Sequence, residues 1–555
     1  GGAMARVADA TGIQFRRLNA SRGPAVRSTR CQSDSARYRE AMTALIAATP
    51  NLTLLEDEVV DLEVSSGRLA AIHTARQGRM NTPALVVTTG TFLNGLCHTG
   101  SEQVAGGRVG EAPASRLSEG LKRAGLTLRR FKTGTTPRLA ADSIDWSGLT
   151  PQHGEEPRPC FSFDEVANDL PQVPCYITFT QAETHAIVRN NLDRSPLYRG
   201  IIQGLGPRYC PSLEDKIVKF ADKERHQIFL EPEGVDSDRI YPNGLSTSLP
   251  RDVQDAFLRS IPGLARVRVL QYGYAVEYDY APPTQLFPSL MTKVVAGLFL
   301  AGQLNGTSGY EEAAAQGLMA GVNAVRLLAG APPAVLGRDQ AYLGVLIDDL
   351  VTKGVDEPYR MFTARAEHRL TLREANAEER LWRLADAWGL LPVARRKAAA
   401  ARQSAREQLR RLLSDTRVGS TRAADLGLEP AQAGQPLAAL LRRPDLGIDT
   451  LLDEPAAFSL AVRGMVEEEV KYEGYIAREQ REIERLRELE TLRLPAGMDY
   501  QVTAGLSREL REKLDAVRPL TLGQASRIPG MTPAALALLR VQAHRARAQG
   551  QFIAA

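Results

Sequence analysis

Between residues 297 and 324 the hydrophobic pattern changes three times in quick succession. Leu298, Phe299 and Leu300 form a short apolar run that stops at Gly302, and this predicts a buried strand. Gly306 and Gly309 follow, where the backbone can take tight or left-handed turns that a side chain would disfavour. From about Tyr310 the pattern predicts a helix rich in small residues, with Ala313, Ala314, Ala315, Gly317, Ala320 and Gly321. Such a helix can lie close to a neighbouring backbone or a flat ligand. Its N-terminus offers unpaired N–H groups and the positive end of a dipole, suited to a pyrophosphate or an anionic ring. A tightly packed helix in an ordinary α/β sheet would carry the same pattern.

Elsewhere the periodicity predicts a helix and then a basic loop over residues 1–30. A second helix is predicted over 36–49, with apolar positions at Tyr38, Met42, Leu45 and Ile46. Residues 52–74 alternate around a turn at Ser65, Ser66 and Gly67, as in a small β-meander. The run ALVVTT (84–89) has no alternation and ends at Gly90, which suits a parallel strand covered on both faces. Meander, buried strand, long insertion and second buried strand (298–301) is the order of a two-part, Rossmann-like dinucleotide-binding α/β domain. The insertion, 135–284, is rich in Pro and Gly, with strand-like CYITFT (175–180) and HQIFLEP (226–232). Beyond 331 the chain is mostly helical, with loops near 414–437 and 491–500. Residues 478–490 carry opposite charges at helical spacing, the pattern of a solvated, salt-bridged face. The expected division is 1–134 and 285–330 for the two-part domain, 135–284 for an inserted α/β domain and 331–555 for an all-α domain.

Composition narrows the class. A chain of 555 residues is too long for one ordinary core, and 43% hydrophobic with 24% charged residues fits a soluble globular protein. No run is long enough to span a membrane, and no signal peptide is expected. The cysteines, Cys31, Cys97, Cys160, Cys175 and Cys210, are scattered and form no CxxC pair, which argues for a reducing cytoplasm and against a disulfide framework or structural zinc. The histidines show no metal-ligand spacing. A net charge of +4 permits an RNA partner without requiring one.

Among the cysteines Cys210 stands out, in GPRYCPSLEDKIVKF (206–220). Arg208 and Lys216 are near in sequence, and positive neighbours raise the thiolate fraction. Pro211 and Ser212 suit a helix start, with Glu214 and Asp215 in its first turn. A buried small hydrophobe is the alternative. FKTGTTPRL (131–139) sets Lys132 and Arg138 around an expected glycine turn, a possible phosphate contact or simply a basic loop. In EPYRMFTARAEHRLTLR (357–373), Arg360, Arg365, Arg369 and Arg373 interleave with Tyr359, Phe362 and His368. That mixture suits RNA through phosphate contacts and base stacking, although Arg365 and Arg369 at helical spacing would also fit a solvated helix face. LGQASRIPGMTPAALALL (522–539) reads as helix, Pro-Gly turn, helix, which fits a helix-hairpin-helix unit or a plain helical hairpin.

Together these segments resemble the signature segments of the MnmG/GidA family. The likeness extends to LNASRGPAVRSTR (18–30), TTGTFLNG (88–95), FKTGTTPR (131–138), NLDRSPLY (191–198), FLEPEG (229–234), IYPNGLSTSLP (240–250), EPYRMFTARAEHRL (357–370) and KYEGYIAREQ (471–480). The resemblance implies an FAD-dependent enzyme that uses NADH or NADPH. It acts at C5 of the wobble uridine of certain tRNAs, adding a carboxymethylaminomethyl or aminomethyl group. Methylenetetrahydrofolate supplies the one-carbon unit and glycine or ammonium the amine. A homodimer joined by an MnmE-type GTPase into a heterotetramer, in the cytoplasm, is implied as well. By the same likeness Cys210 is the functional thiol, a nucleophile or proton shuttle at the uracil. Gly206, Arg208 and Lys216 fall in the nicotinamide segment. Gln303, with Gly302, Gly306 and Gly309, and less specifically Val59, fall at the flavin. The basic segments nominate Arg27, Arg30, Lys132, Arg138, Arg360, Arg365 and Arg369 for the tRNA path, and the helical C-terminal region for the GTPase. The family begins with a strand and GxGxxG turn for the FAD adenosine half, and this sequence is expected to start downstream of it; a second family cysteine, in an N-terminal CNP motif, is missing for the same reason. Thr136 stands where the family usually has proline. Two other readings remain at this point: a folate- and FAD-dependent tRNA uracil-5-methyltransferase, or a non-catalytic tRNA- or partner-binding truncated form.

Overall fold

A computed structural model describes residues 2–548 apart from Glu165, Cys210 and Ala496. At its centre the two continuous apolar runs meet. Leu85–Val87 and Leu298–Leu300 pair in parallel, with Phe299 opposite Val86. The helix Tyr310–Leu328 follows the second strand. It buries Gln316, Met319, Ala320 and Asn323, one face at helical spacing. Met319 and Ala320 join Leu93, Leu117, Leu121, Phe299 and Leu304 in one core. The meander is also present, as Val59–Ser65, Arg68–Thr74 and Gly78–Asn81, and is tied to the central pair by Leu69 N–H donating to Ala296 O at 2.9 Å.

Two further sheets lie within and beside the insertion. A six-stranded antiparallel sheet runs in the order Thr150–Gln152, Cys175–Phe179, Gln227–Pro232, Arg239–Asn243, Arg138–Ala140, Val269–Gln271. Ala182–Arg189, Leu213–Lys219 and Arg251–Arg259 cover it, burying Val188, Ile217 and Phe257. A four-stranded sheet joins Glu102–Ala105, Leu96–Thr99, Tyr274–Tyr280 and Arg129–Thr135. All seven residues of Tyr274–Tyr280 are buried.

Several local expectations are corrected. The basic stretch after the first helix (Ala3–Thr11) is not a loop: Gly12–Leu18 and Ser28–Ser33 pair antiparallel there. The meander starts at Val59, and Leu52 and Leu54 are exposed. No glycine turn forms at 134. Gly134 lies inside a strand, where a Cβ would collide with the Ser246 hydroxyl. Nor do Arg365 and Arg369 share a helix face, because the 357–373 segment holds only the short 3-10 turn Thr363–Arg365.

The helical region begins with Tyr342–Lys353, buried at every position from 344 to 352. Val393–Asp415 and Leu460–Thr491 enclose one apolar cluster, and Arg508–Val517, Leu522–Ser526 and Pro533–Ala548 another. The last two helices match the hairpin expected at 522–539. The 478–490 stretch is not purely solvated: Ile483 is buried, Arg487 reaches Asp339 at 2.7 Å, and Glu490 pairs with Arg527. No helix of the described residues is long and apolar enough to cross a membrane.

The C-terminal helices meet the core over a cavity of about 630 Å³, lined in part by Pro288, Leu336, Ile347, Leu489 and Leu520. Beside it Arg527 donates to Asp348 at 2.7 Å. Lys293 Nζ donates to Thr284 O at 2.7 Å and to Val517 O at the end of a C-terminal helix. Burial, with Arg518 nearby, pushes this ammonium down to about 8. A lysine with a depressed folded pKa destabilises the fold while it is charged in both states. The unfolded chain binds the extra proton between about 8 and 10.5, so stability should rise with pH across that window. Lys293→Met should flatten this rise, measured as urea midpoints from pH 7.5 to 10.

Candidate functional site

In an open parallel sheet, ligands bind outside the carboxyl ends of the strands. Here both central strands run into glycine turns at that end. Gly90 (φ 59°), after the first strand, faces Gln303 after the second: a Cβ on Gly90 would stand 3.5 Å from Gln303 Oε1. Gly302 (φ 80°) and Gly306 (φ 82°) bracket the short 3-10 turn Gly302–Asn305. The close approach is required at Gly306, where a Cβ would lie 2.7 Å from Val355.

One fully buried side chain fixes this turn. Gln316 Oε1 accepts from Gly302 N–H (3.2 Å) and Asn305 Nδ2 (2.8 Å), while its Nε2 donates to Thr307 Oγ1 (2.9 Å) and Glu312 O (3.1 Å). Around the same turn, buried atoms stand without a protein partner: Thr89 Oγ1, Asn305 Oδ1 and Glu312 Oε2. Burial drives the Tyr278 phenol upward, with the Gln303 side chain working against it.

The 357–373 segment closes over this turn. Tyr359 N–H donates to Gly306 O and Ser308 N–H to Tyr359 O, both at 2.9 Å. Glu312 Oε1 accepts from Met361 N–H at 2.9 Å and lies 3.3 Å from Arg360 Nε. The helix N-terminus beside Gly309 therefore carries its own buried carboxylate. Arg365 covers the Tyr359 ring at 4.1 Å and donates to Arg360 O at 2.8 Å; Arg369 donates to Ala366 O at 3.4 Å.

The segment ahead of Cys210 also arrives here. Cys210 itself lies outside the described residues. Tyr209, more than half exposed, packs its ring 4.4 Å from that of Phe362. Upstream, Leu205 O accepts from Lys132 N–H at 3.0 Å, and a Cβ on Gly206 would stand 3.4 Å from Lys132 Cδ. Lys132 is only 4% exposed, which corrects its reading as part of a basic loop. Downstream of Cys210 the helix Leu213–Lys219 starts as the residues suggested: Ser212 caps it by accepting from Asp215 N–H at 3.3 Å. Lys216 Nζ donates to Gly244 O at 2.8 Å. Burial pushes the Cys31, Cys97 and Cys175 thiols up to about 11 and raises Cys160, so none of these favours a thiolate.

The remaining candidates lie apart from the turn. Val59 packs on the central core from the meander. Arg27 pairs with Glu468 at 2.9 Å, Arg30 with Glu231, and Arg138 with Glu233. Arg138 also covers the Tyr241 ring at 4.4 Å. Among the described residues no group of His, Cys, Asp and Glu could hold a metal ion. Missed by the sequence reading were Gln316, Glu312, Tyr278 and Glu277. The last two sit in YAVEYDY (274–280), where acids between aromatics in one strand were the available signal.

With this geometry in place, the comparisons with known proteins are decisive. Residues 1–332 match the family described as glucose inhibited division protein A. Residues 394–480 and 482–554 match the C-terminal helical domain and helical bundle of the tRNA modifying enzyme MnmG/GidA. The chain belongs to the MnmG/GidA family. It is 52% identical over 551 residues to a tRNA uridine 5-carboxymethylaminomethyl modification enzyme MnmG of Syntrophotalea carbinolica, covering 98% of this chain and 89% of that one. A Geotalea uraniireducens protein of the same name is 49% identical, with 98% and 88% covered. Aquifex aeolicus GidA superposes with a TM-score of 0.89 at 44% identity, over 98% of this chain and 88% of that one. The α/β core with its all-helical C-terminal region is thus the MnmG/GidA architecture.

The Gln316 bonds give a direct test. Gln316→Leu keeps the bulk but leaves Gly302 N–H and Asn305 Nδ2 without an acceptor. It should cost about 3 kcal/mol, given the penalty for unsatisfied buried groups, read as a lower urea midpoint; an unchanged midpoint would mean the turn is held by other contacts.

Proposed function

We propose that this chain is a flavin-dependent tRNA-modifying enzyme that builds a carboxymethylaminomethyl or aminomethyl group on C5 of the wobble uridine. The observation that carries the proposal is the convergence, at the carboxyl ends of the parallel strands, of the glycine turn, the Tyr359–Phe362 stretch and Tyr209. The family relationship supplies the reaction class, through relatives named for that modification.

The residues at the turn fit a flavin. Gly302 and Gly306 admit close backbone approach, and Thr89, Asn305 and Glu312 hold polar atoms that lack protein partners. Gly302, Gln303, Gly306 and Gly309 would hold the ring system, with Val59 contributing from the meander. FAD, when bound, supplies hydride-level electrons taken from NADH or NADPH. The chain's own residues do the rest. Phe131 and Tyr280, stacked 3.6 Å apart, and the buried 274–280 strand exclude water beneath the turn. Gly206, Arg208 and Lys216 bind the nicotinamide cofactor along the segment that continues into Cys210. Cys210 acts as nucleophile or proton carrier at the uracil. The carbon comes from methylenetetrahydrofolate and the amine from glycine or ammonium.

Arg360, Arg365 and Arg369, with Phe362 and Tyr209 beside them, offer the tRNA a mixed guanidinium and aromatic surface suited to a single-stranded loop. Arg27, Arg30 and Arg138 extend it through donors left over from their ion pairs. The helical C-terminal region serves the MnmE-type GTPase, with a cytoplasmic homodimer as the working unit.

Cys210→Ser in a strain lacking the endogenous gene should leave wobble modification at the level of that deletion, by mass spectrometry of tRNA nucleosides. Normal modification would remove Cys210 from the mechanism, and a change in ribothymidine would instead favour a uracil-5-methyltransferase. Affinity for tRNA should fall linearly with salt on a double-logarithmic plot, with a slope set by the phosphates contacted.

A further inference from the structure

We infer that Glu277 is the positioning residue for the segment that leads into Cys210, an inference that rests on the functional reading above. Glu277 is 5% exposed in the middle of the four-stranded sheet, paired across it with Leu96 and Lys132. Its Oε1 accepts from two consecutive backbone amides of a neighbouring segment, Gln203 N–H at 2.9 Å and Gly204 N–H at 2.7 Å. Its Oε2 lies 3.4 Å from His98 Nε2 and 3.6 Å from Arg130.

A buried carboxylate is costly unless it is paired and hydrogen-bonded, and here the surroundings meet that requirement. Burial works to raise Glu277, but His98, the Gly204 amide, Arg130 and the Gln203 amide together hold it below the usual carboxylate range. It stays charged, and its bonds to Gln203 and Gly204 are of the stronger, charge-assisted kind.

What the carboxylate holds is the start of the cysteine segment. Gly204 presses on strand Arg129–Thr135 so closely that a Cβ would stand 2.7 Å from the Phe131 carbonyl carbon. Leu205 then pairs with Phe131 in a parallel bridge, and Tyr209 reaches Phe362. Between Gly206 and Tyr209 no backbone hydrogen bond to another element is recorded among the described residues. Among the described residues the segment is fixed at its root by Glu277 and the strand edge, in its middle by the buried Pro207, and at its tip by the Tyr209–Phe362 contact. Removing the root anchor should loosen all of it.

The test uses the full chain. In Glu277→Ala, hydrogen exchange at Gln203 and Gly204 should accelerate by at least about tenfold, the scale of losing charge-assisted bonds. Peptides of the Gln227–Pro232 strand should keep their rates. Alkylation of Cys210, followed by peptide mass spectrometry, should change in the same variant, and wobble modification should fall. Glu277→Gln keeps an acceptor oxygen and should restore most of the protection and most of the modification. Unchanged exchange in Glu277→Ala would overturn the inference, as would faster exchange with normal modification. Should Glu277→Ala not fold, Gly204→Ala leaves the carboxylate in place and displaces the segment by its methyl. The same acceleration is expected there, and unchanged exchange again overturns the inference. Normal modification in Cys210→Ser would sink the functional reading instead, while the exchange measurement would still report on the anchor.

Discussion

A single buried amide sets the geometry on which the rest of the molecule depends. The turn between the Leu298–Leu300 strand and the Tyr310–Leu328 helix closes only the short 3-10 turn Gly302–Asn305, and its Gly302 N–H is left to a side-chain acceptor. Gln316 supplies what the backbone cannot, using both lone-pair directions of its oxygen and both N–H bonds of its nitrogen. Every one of those groups is buried, so each lost bond would strand a donor or acceptor away from water. The turn therefore has one conformation. That conformation puts Gln303 against Gly90, Gly306 against Val355 and Gly306 O under the Tyr359 amide.

Beside this fully satisfied amide lie buried atoms that are not satisfied. Native interiors leave few such groups, and those that persist call for an explanation. Other such atoms, among them Gln152 Oε1 and His226 Nε2, lie elsewhere in the molecule, but Thr89, Asn305 and Glu312 bring three of them to one turn. A rigid turn with unmet polar capacity is what a preorganised ligand site requires, since the groups cannot relax toward one another. The same logic runs through the segment ahead of Cys210, where a buried acid holds the Gln203 and Gly204 amides in place.

The arginines behave differently from what their clustering along the sequence implies. Arg27 ties the N-terminal segment to Glu468 on the long helix, and Arg373 reaches the same carboxylate at 3.4 Å. Arg338 gathers Asp349, Asp348 and Glu367 at 2.7 to 3.1 Å. Half-buried guanidinium groups keep their charge, so each needs a carboxylate nearby. Segments far apart in sequence are thereby braced together. Pairing does not use up a guanidinium, because a carboxylate engages at most part of its five N–H donors. Arginines that brace the fold can still face a phosphate with what remains.

Much of the centre was legible because its signals are local. An apolar run without alternation marks a parallel strand, and a serine followed by two acids marks a helix start; the strands formed at 85–87 and 298–300, the first with Leu85 and Val86 only half-buried, and the helix start formed at 212–215. What was not legible depends on partners remote in sequence. Gly134 looked like a turn, yet its missing Cβ makes room for Ser246, more than a hundred residues on. Arg16, Arg17 and Arg30 hid the strands at 12–18 and 28–33, because Arg16 and Arg30 are met by neighbours elsewhere, His153 O and Glu231, and Arg17 is exposed. Residues 357–361 are held by Gly306 O and Glu312, not by a helix of their own. Glu277 and Asp279 broke the apolar rule for a buried strand in plain view. Such breaks are where local preference has yielded to a tertiary demand. Glu277 meets that demand by holding the Gln203 and Gly204 amides, and Asp279 by accepting from the Ser118 hydroxyl and Arg130, so each acid that spoils the pattern of this core strand answers to a partner remote in sequence.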